Sequence, residues 1–285
     1  MTIPSPSKNV TSALSTEALP SGESRQIADS ARAPAWLVSV RDEQEFRLAA
    51  EYPVDIIDFK EPDHGPLAPV DPLIWHQAQR WVAECCTSPS QLRPQKLGQH
   101  VAKKLSAALG ERGDMLRVAD EVPAEFAFAK VGPSQCDTPE KLLTLWSDAR
   151  ARLPKRVELV AVAYADYTSA QCLPPEQIAE LAKQTGVNRC LIDTFTKSSG
   201  STVDLLGMQR LRQFSQTVAN RDGWWALAGA VRLEGLNGLA DNGVLPNCVG
   251  VRGDVCNKSR TSTLSIDRLD QWSEFFANVP TSEIR

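Results

Sequence analysis

An acid and a lysine lie two residues apart at the end of the apolar stretch VDIIDFKEP, which runs from Val54 to Pro62. The β-branched residues that open this stretch are typical of a buried strand. Side chains alternate along a strand, so Asp58 and Lys60 share one face. A lysine beside an acid can form a Schiff base with a carbonyl substrate when burial and nearby cations disfavour its ammonium form. The plainer interpretation is a salt-bridged surface edge.

Further ionisable residues follow other apolar stretches. Lys130 lies in FAFAKVGP, Asp193 and Lys197 lie in LIDTFTKSSG, and Asp166 follows ELVAVAYA. Aspartates near a lysine can orient it and transfer protons. A solvated rim charge would explain any one of these lysines, but three lysines in equivalent positions favour a shared site.

The elements that must position these residues alternate along the chain. Strands are predicted at 36–40, 54–59, 104–109, 126–131, 158–165, 189–194, 224–230 and 248–253. Helices are predicted at 42–51, 72–86, 115–121, 139–152, 175–185, 204–221, 232–242 and 265–278. Alternation predicts a parallel α/β sheet, and eight pairs favour closure into a (β/α)₈ TIM barrel. Active sites of such barrels lie at the carboxyl ends of the strands, where these charges fall.

A single barrel domain is expected over 35–280. Residues 1–34 are rich in Ser, Thr, Pro and Ala and predict a flexible, disordered tail, because they carry little apolar mass to bury. The stretch 87–103 is interpreted as an insertion or irregular connection.

Glycine-rich turns follow the seventh and eighth predicted strands, in AGAVR and GVRGDV. Barrels often bind phosphate there through backbone N–H groups. Gly229, Gly253 and Arg252 are therefore candidate phosphate binders, and Asp166 is a further candidate for substrate binding. Ordinary tight turns would also explain the glycines. With the lysines, the turns favour a phosphorylated carbonyl substrate.

The composition disfavours several other classes of protein. A net charge of −4 argues against a nucleic-acid partner. No apolar run approaches ~18 residues, and no secretory signal begins the chain, so a cytoplasmic protein without a membrane partner is expected. Seven cysteines without a C-x-x-C motif predict reduced thiols, and three histidines without ligand spacing predict no metal site. Neither a P-loop nor a dinucleotide fingerprint is present.

Seven motifs together resemble, in order, the (5-formylfuran-3-yl)methyl phosphate synthase family: LVSVRDEQEF, VDIIDFKEPDHGPL, AKVG, VAVAYADY, LIDTFTK, ALAGAVRLE and VGVRGDVC. The resemblance covers roughly 35–270. It implies a TIM-barrel lyase of methanofuran biosynthesis that condenses two molecules of glyceraldehyde 3-phosphate, its small-molecule partner, with loss of one phosphate and two waters. It implies no metal or organic cofactor. Barrels of this type often self-associate, so a homo-oligomer is compatible with it.

The resemblance also assigns five residues. It places the Schiff-base lysine at Lys60, its acidic neighbour at Asp58, and further catalytic residues at Lys130, Asp193 and Lys197. The chain departs from the family in its tail, in the 87–103 stretch, in its third strand and at position 59, where a phenylalanine replaces a smaller aliphatic residue. None of these departures touches the five assigned positions.

Two other functions remain open from the residues. A class I aldolase acting on a different phosphorylated sugar would use the same lysine chemistry without losing phosphate. A non-catalytic barrel could bind a phosphorylated metabolite at the same mouth.

Overall fold

A computed structural model describes residues 34–87, 103–196, 198–219, 223–244 and 246–278. The expected tail up to residue 33, most of the expected insertion (88–102) and the candidate Lys197 lie outside the described residues.

Eight parallel strands form a closed barrel in which each strand pairs with the next and the last pairs with the first. The strands are β1 (Ala35–Val40), β2 (Ile56–Phe59), β3 (Lys104–Ala108), β4 (Phe128–Val131), β5 (Glu158–Tyr164), β6 (Arg189–Asp193), β7 (Trp224–Leu227) and β8 (Cys248–Val251). The expected TIM barrel is confirmed. All eight predicted strands are present, but β7 and β8 end before the glycine-rich turns that the sequence assigned to them.

The helices follow the strands on the outside of the barrel. They are α1 (Glu43–Ala50), α2 (Pro72–Thr87), α3 (Arg112–Val118), α4 (Pro139–Arg152), α5 (Tyr167–Ala170), α6 (Pro175–Gln184), α7 (Thr202–Ala219), α8 (Leu236–Asp241) and α9 (Ile266–Asn278). Capping sets several of the starts: the Thr138 side chain accepts a hydrogen bond from the backbone N–H of Lys141, ahead of Pro139. The short α5 was not predicted, and α7 leaves helical geometry at Gly207, where φ is +72°.

Strand residues alternate between the barrel interior and the layer under the helices. In β2, Ile56 belongs to the inner apolar cluster and Phe59 to the outer one. The ring of Phe59 packs against Phe46 and Phe126, with centroids 5.6 and 5.7 Å apart. The aromatic residue that departs from the family pattern therefore faces the helices, on the opposite side of the strand from Asp58.

A cation–π stack lies at the amino-terminal end of the strands. The Arg189 guanidinium lies 4.9 Å from the Phe128 ring centroid and 4.8 Å from that of Trp224, and it pairs with Glu158 at 2.6 Å. Side chains thus occupy this end of the barrel, and the candidate active site lies at the opposite end.

Within the described ranges, no helix combines the length and the apolar character that a membrane span requires.

Candidate active site

Four ionisable side chains enter the barrel from alternate strands. Asp58 belongs to β2 and Lys60 follows it directly, while Lys130 lies on β4 and Asp193 ends β6. All four are buried and line one cavity at the carboxyl ends of the strands. The strand period of two brings Asp58 and Lys60 to the same interior face, as the sequence predicted.

The four side chains form two ion pairs. Lys130 Nζ lies 2.6 Å from Asp58 Oδ1, and their side chains are only 4% and 1% exposed. This contact has ion-pair distance without hydrogen-bond alignment. Lys60 Nζ lies 3.7 Å from Asp193 Oδ2. Each lysine amine therefore faces a carboxylate, and the Lys60–Asp193 distance would have to shorten, or a water bridge the pair, for proton transfer.

The two aspartates are oriented by neighbouring groups. Ser39 of β1 lies opposite Asp58 in the strand register, and its hydroxyl donates to Asp58 Oδ2 over 3.4 Å. The backbone N–H of Thr194 donates to Asp193 Oδ1 over 2.7 Å. Ser39 lines the cavity, and the sequence analysis did not single it out.

The turns after β7 and β8 complete the wall of the cavity. Its lining includes Gly229, Ala230, Arg252, Gly253 and Arg260 together with the four charged residues. Gly229 has φ +84°, and a Cβ atom there would lie 2.2 Å from the Thr202 hydroxyl oxygen. The backbone at this turn thus requires glycine. Gly253 has no such constraint, since a Cβ there would meet nothing closer than 3.7 Å.

One cavity thus contains buried amines, adjacent carboxylates and the turns after β7 and β8. This arrangement suits imine chemistry on a phosphorylated substrate. Among the described residues no group of histidines, cysteines and acids could hold a metal ion.

A family profile described as 4-HFC-P synthase matches residues 36–273, which include all eight strands. The chain belongs to the 4-HFC-P synthase family. It is 26% identical over 231 residues to the (5-formylfuran-3-yl)methyl phosphate synthase of Methanosarcina barkeri, a match covering 80% of this chain and 93% of the relative. Identity to the enzyme of the same name from Methanothermobacter thermautotrophicus is 25% over 232 residues, or 81% and 93% of the two chains.

The barrel is also similar to N-(5'-phosphoribosyl)anthranilate isomerase from Pyrococcus furiosus. The TM-score is 0.51 at 10% identity, covering 86% of this chain and all of the other, 100%. At this identity the likeness concerns the fold alone.

Arg252, expected to bind phosphate, is buried in this 4-HFC-P synthase family member with all of its donors engaged. Its guanidinium donates to both carboxylate oxygens of Glu45 and to the backbone carbonyls of Ser39, Arg260 and Ser262. Arginine has five N–H donors, so none is left for a ligand. In this structure Arg252 joins β1 and α1 to the loop after β8.

Asp166, also expected to bind substrate, does not line the cavity. Its two carboxylate oxygens accept hydrogen bonds from the backbone N–H groups of Phe195 and Thr196, each over 2.7 Å. Asp166 therefore holds the chain at the two residues that precede Lys197.

A hydrogen-bonded pair that the sequence analysis did not select, the buried Tyr164 and the partly buried Glu111, lies beside the site. The Tyr164 hydroxyl donates to Glu111 Oε1 over 2.6 Å, and the backbone N–H of Ser134 donates to Oε2 over 2.9 Å. Burial raises the pKa of Tyr164 well above its usual value, and the charge of Glu111 adds to the rise. A signal was present in the sequence, because Glu111 follows the end of β3 as the other site residues follow theirs.

Proposed function

We propose that this protein is a (5-formylfuran-3-yl)methyl phosphate synthase that condenses two molecules of glyceraldehyde 3-phosphate, with Lys60 as the Schiff-base residue. The observation that carries the proposal is the pairing of Lys60 with Asp193 and of Lys130 with Asp58 in one buried cavity. Membership of the 4-HFC-P synthase family and the names of its relatives support it. The product would serve methanofuran biosynthesis.

The first steps follow from imine chemistry. The Lys60 amine attacks the aldehyde carbon, and loss of water leaves an iminium. The positive nitrogen acidifies the C–H bond on the next carbon, and Asp193 or Asp58 takes that proton to leave an enamine. The electron pair of the enamine then expels the phosphate from the third carbon or attacks the aldehyde of the second molecule.

Ring closure and dehydration complete the reaction. Two glyceraldehyde 3-phosphate molecules yield one furan aldehyde phosphate, one inorganic phosphate and two waters, with the imine hydrolysed to regenerate Lys60. The aromatic stability of the furan makes the overall reaction favourable. Lys130 and Lys197 are proposed to hold phosphates or to protonate leaving groups.

The test is incubation of the full chain with glyceraldehyde 3-phosphate alone. Mass spectrometry and ultraviolet absorbance should detect a phosphorylated furan aldehyde, with one phosphate released per furan. A carbon–carbon adduct formed without phosphate release would instead identify a class I aldolase.

Substitution of Lys60 tests its role. Lys60→Ala should make no detectable furan, and borohydride with substrate should label the unsubstituted chain at Lys60, because only an imine is reduced to a stable secondary amine. Lys155→Ala, at an exposed position, is the matched control and should retain full activity. Furan formation by Lys60→Ala would refute the assignment. Absence of both imine and turnover in the unsubstituted chain would favour the non-catalytic binding barrel.

A further inference from the structure

The loop that follows β8 is held at the cavity by two structural arginines. Arg252 donates to the carbonyl of Arg260 over 2.8 Å and to that of Ser262 over 3.0 Å, while Arg41 donates to the carbonyl of Thr261. The backbone is therefore anchored at Arg260 and at the two residues that follow it.

The side chain of Arg260 is the part of this anchored segment that lines the cavity. Its Nη2 donates to the carbonyl of Gly65, in the loop between β2 and α2, over 3.0 Å. This is the only hydrogen bond of its guanidinium to the described residues, so most of its five donors stay available. Arg260 thus differs from Arg252, whose donors are saturated.

The charge balance of the cavity also separates Arg260 from its neighbours. Lys60 and Lys130 each face an aspartate, and Arg252 faces Glu45. In the described part of the chain no carboxylate lies within ion-pair distance of Arg260. Its partial burial lowers the pKa of the guanidinium, which reflects lost hydration. Asp193 and Asp63 attract Arg260 only from beyond ion-pair distance, and an anionic ligand in direct contact would offset more of the lost hydration.

We propose that Arg260 binds a phosphate ester of the substrate at this cavity, the role that the sequence analysis gave to Arg252. The planar fork of a guanidinium matches two phosphate oxygens, and a charge-assisted pair of this kind is among the stronger hydrogen-bonded contacts. Naming the ester as a triose phosphate rests on the proposed function, whereas binding of phosphate by Arg260 does not.

The direct test is calorimetric titration of the full chain with glycerol 3-phosphate, which has no carbonyl and cannot form an imine. The Kd should rise about tenfold or more in Arg260→Gln, as expected for loss of a charge-assisted contact. Arg117→Gln removes an exposed arginine that pairs with Asp114, and its Kd should not change. Equal Kd values for Arg260→Gln and the unsubstituted chain, or no binding by the unsubstituted chain, would overturn the proposal.

A second, more conservative variant distinguishes loss of the phosphate contact from misfolding. Arg260→Lys keeps the positive charge but lacks the planar fork, so its Kd should rise severalfold while circular dichroism stays unchanged. An unaltered Kd in that variant would also overturn the proposal.

Kinetics separate this inference from the proposed function. Arg260→Gln should raise KM for glyceraldehyde 3-phosphate, since the lost contact helps to bind a phosphate ester of the substrate. Furan formation with an unaltered KM in that variant would refute the role of Arg260 and leave the proposed function standing. Arg260-dependent binding of glycerol 3-phosphate without furan formation would refute the proposed function and leave the role of Arg260 standing.

Discussion

At the scale of single residues, removing one partner of the Lys130–Asp58 pair should strongly lower the free energy of unfolding. Both side chains are almost fully buried, and their charged atoms lie 2.6 Å apart. A buried ion pair contributes little net stability compared with apolar residues of the same size, yet removing one partner strands the other charge. Apolar side chains could fill this part of the barrel at no cost in stability. The presence of a buried ion pair there therefore fits a catalytic role better than a structural one.

Single and double substitutions distinguish these roles. Lys130→Met should lower the free energy of unfolding by about 3–5 kcal/mol, because Asp58 is left buried without a counter-charge. The double variant Lys130→Met, Asp58→Leu should recover most of that loss while remaining inactive. Urea unfolding and the furan assay measure the two effects, with Lys155→Met as the exposed control. A double variant no more stable than Lys130→Met would show that the pair itself stabilises the fold.

The residues that the sequence located share one property, which is their position on or just after a strand. Strand alternation and parallel closure were enough to bring Asp58, Lys60 and Lys130 together. The partner of Arg252 could not be found in this way, because Glu45 lies 207 positions away on α1. Arg260 was missed because it lies in a loop beyond β8, where no periodicity indicates direction.

At the scale of elements, Asp166 connects the end of β5 to the segment after β6. It lies two residues beyond β5, and its carboxylate binds two successive backbone N–H groups, of Phe195 and Thr196. The sequence placed Asp166 correctly at the mouth end of its strand. It could not show that the carboxylate points to a neighbouring loop, since that depends on the path of the chain after β6.

Substitution of Asp166 should therefore affect catalysis through position. In Asp166→Ala both N–H groups lose their acceptor, and a shift of about 1 Å in the following residues can cost on the order of 100-fold in kcat. Asp166→Asn keeps one acceptor oxygen, so its kcat should lie between those of Asp166→Ala and the unsubstituted chain. Borohydride trapping at Lys60 should persist in both variants, which a direct role in imine formation would not allow. Asp137→Asn, at an exposed position, is the control.

Strand and helix positions were predictable to within a few residues, because apolar stretches and capping residues mark them locally. The third βα unit resembled the family least, yet β3 pairs with both β2 and β4. Its place in the barrel follows from closure by all eight strands and is not visible in the stretch KKLSAAL alone. Tertiary pairing decided what local pattern left open.

At the scale of the whole molecule, thiols are distributed through the interior. Among the cysteines whose side chains the structure describes, five are buried and unpaired: Cys136, Cys172, Cys190, Cys248 and Cys256. Burial raises the pKa of every one of them, to about 12 for Cys172 and Cys190. Lys103 shows the opposite shift, because burial lowers its pKa to about 8.

These shifts predict that the protein loses stability in alkali. Above about pH 9 an unfolded chain gives up thiol protons that the folded chain keeps, so the free energy of unfolding falls as pH rises, by up to about 1.4 kcal/mol per pH unit for each thiol. Lys103 opposes this between about pH 8 and 10.5, since the folded chain releases that proton first. Among the described groups, five thiols act against one lysine, so the net slope is expected to be negative. Urea unfolding with reductant at pH 8, 9 and 10 should show a shallower slope for Cys190→Ala and a steeper one for Lys103→Met. Stability that rises over this range in the unsubstituted chain would mean that the buried thiols ionise within the folded barrel.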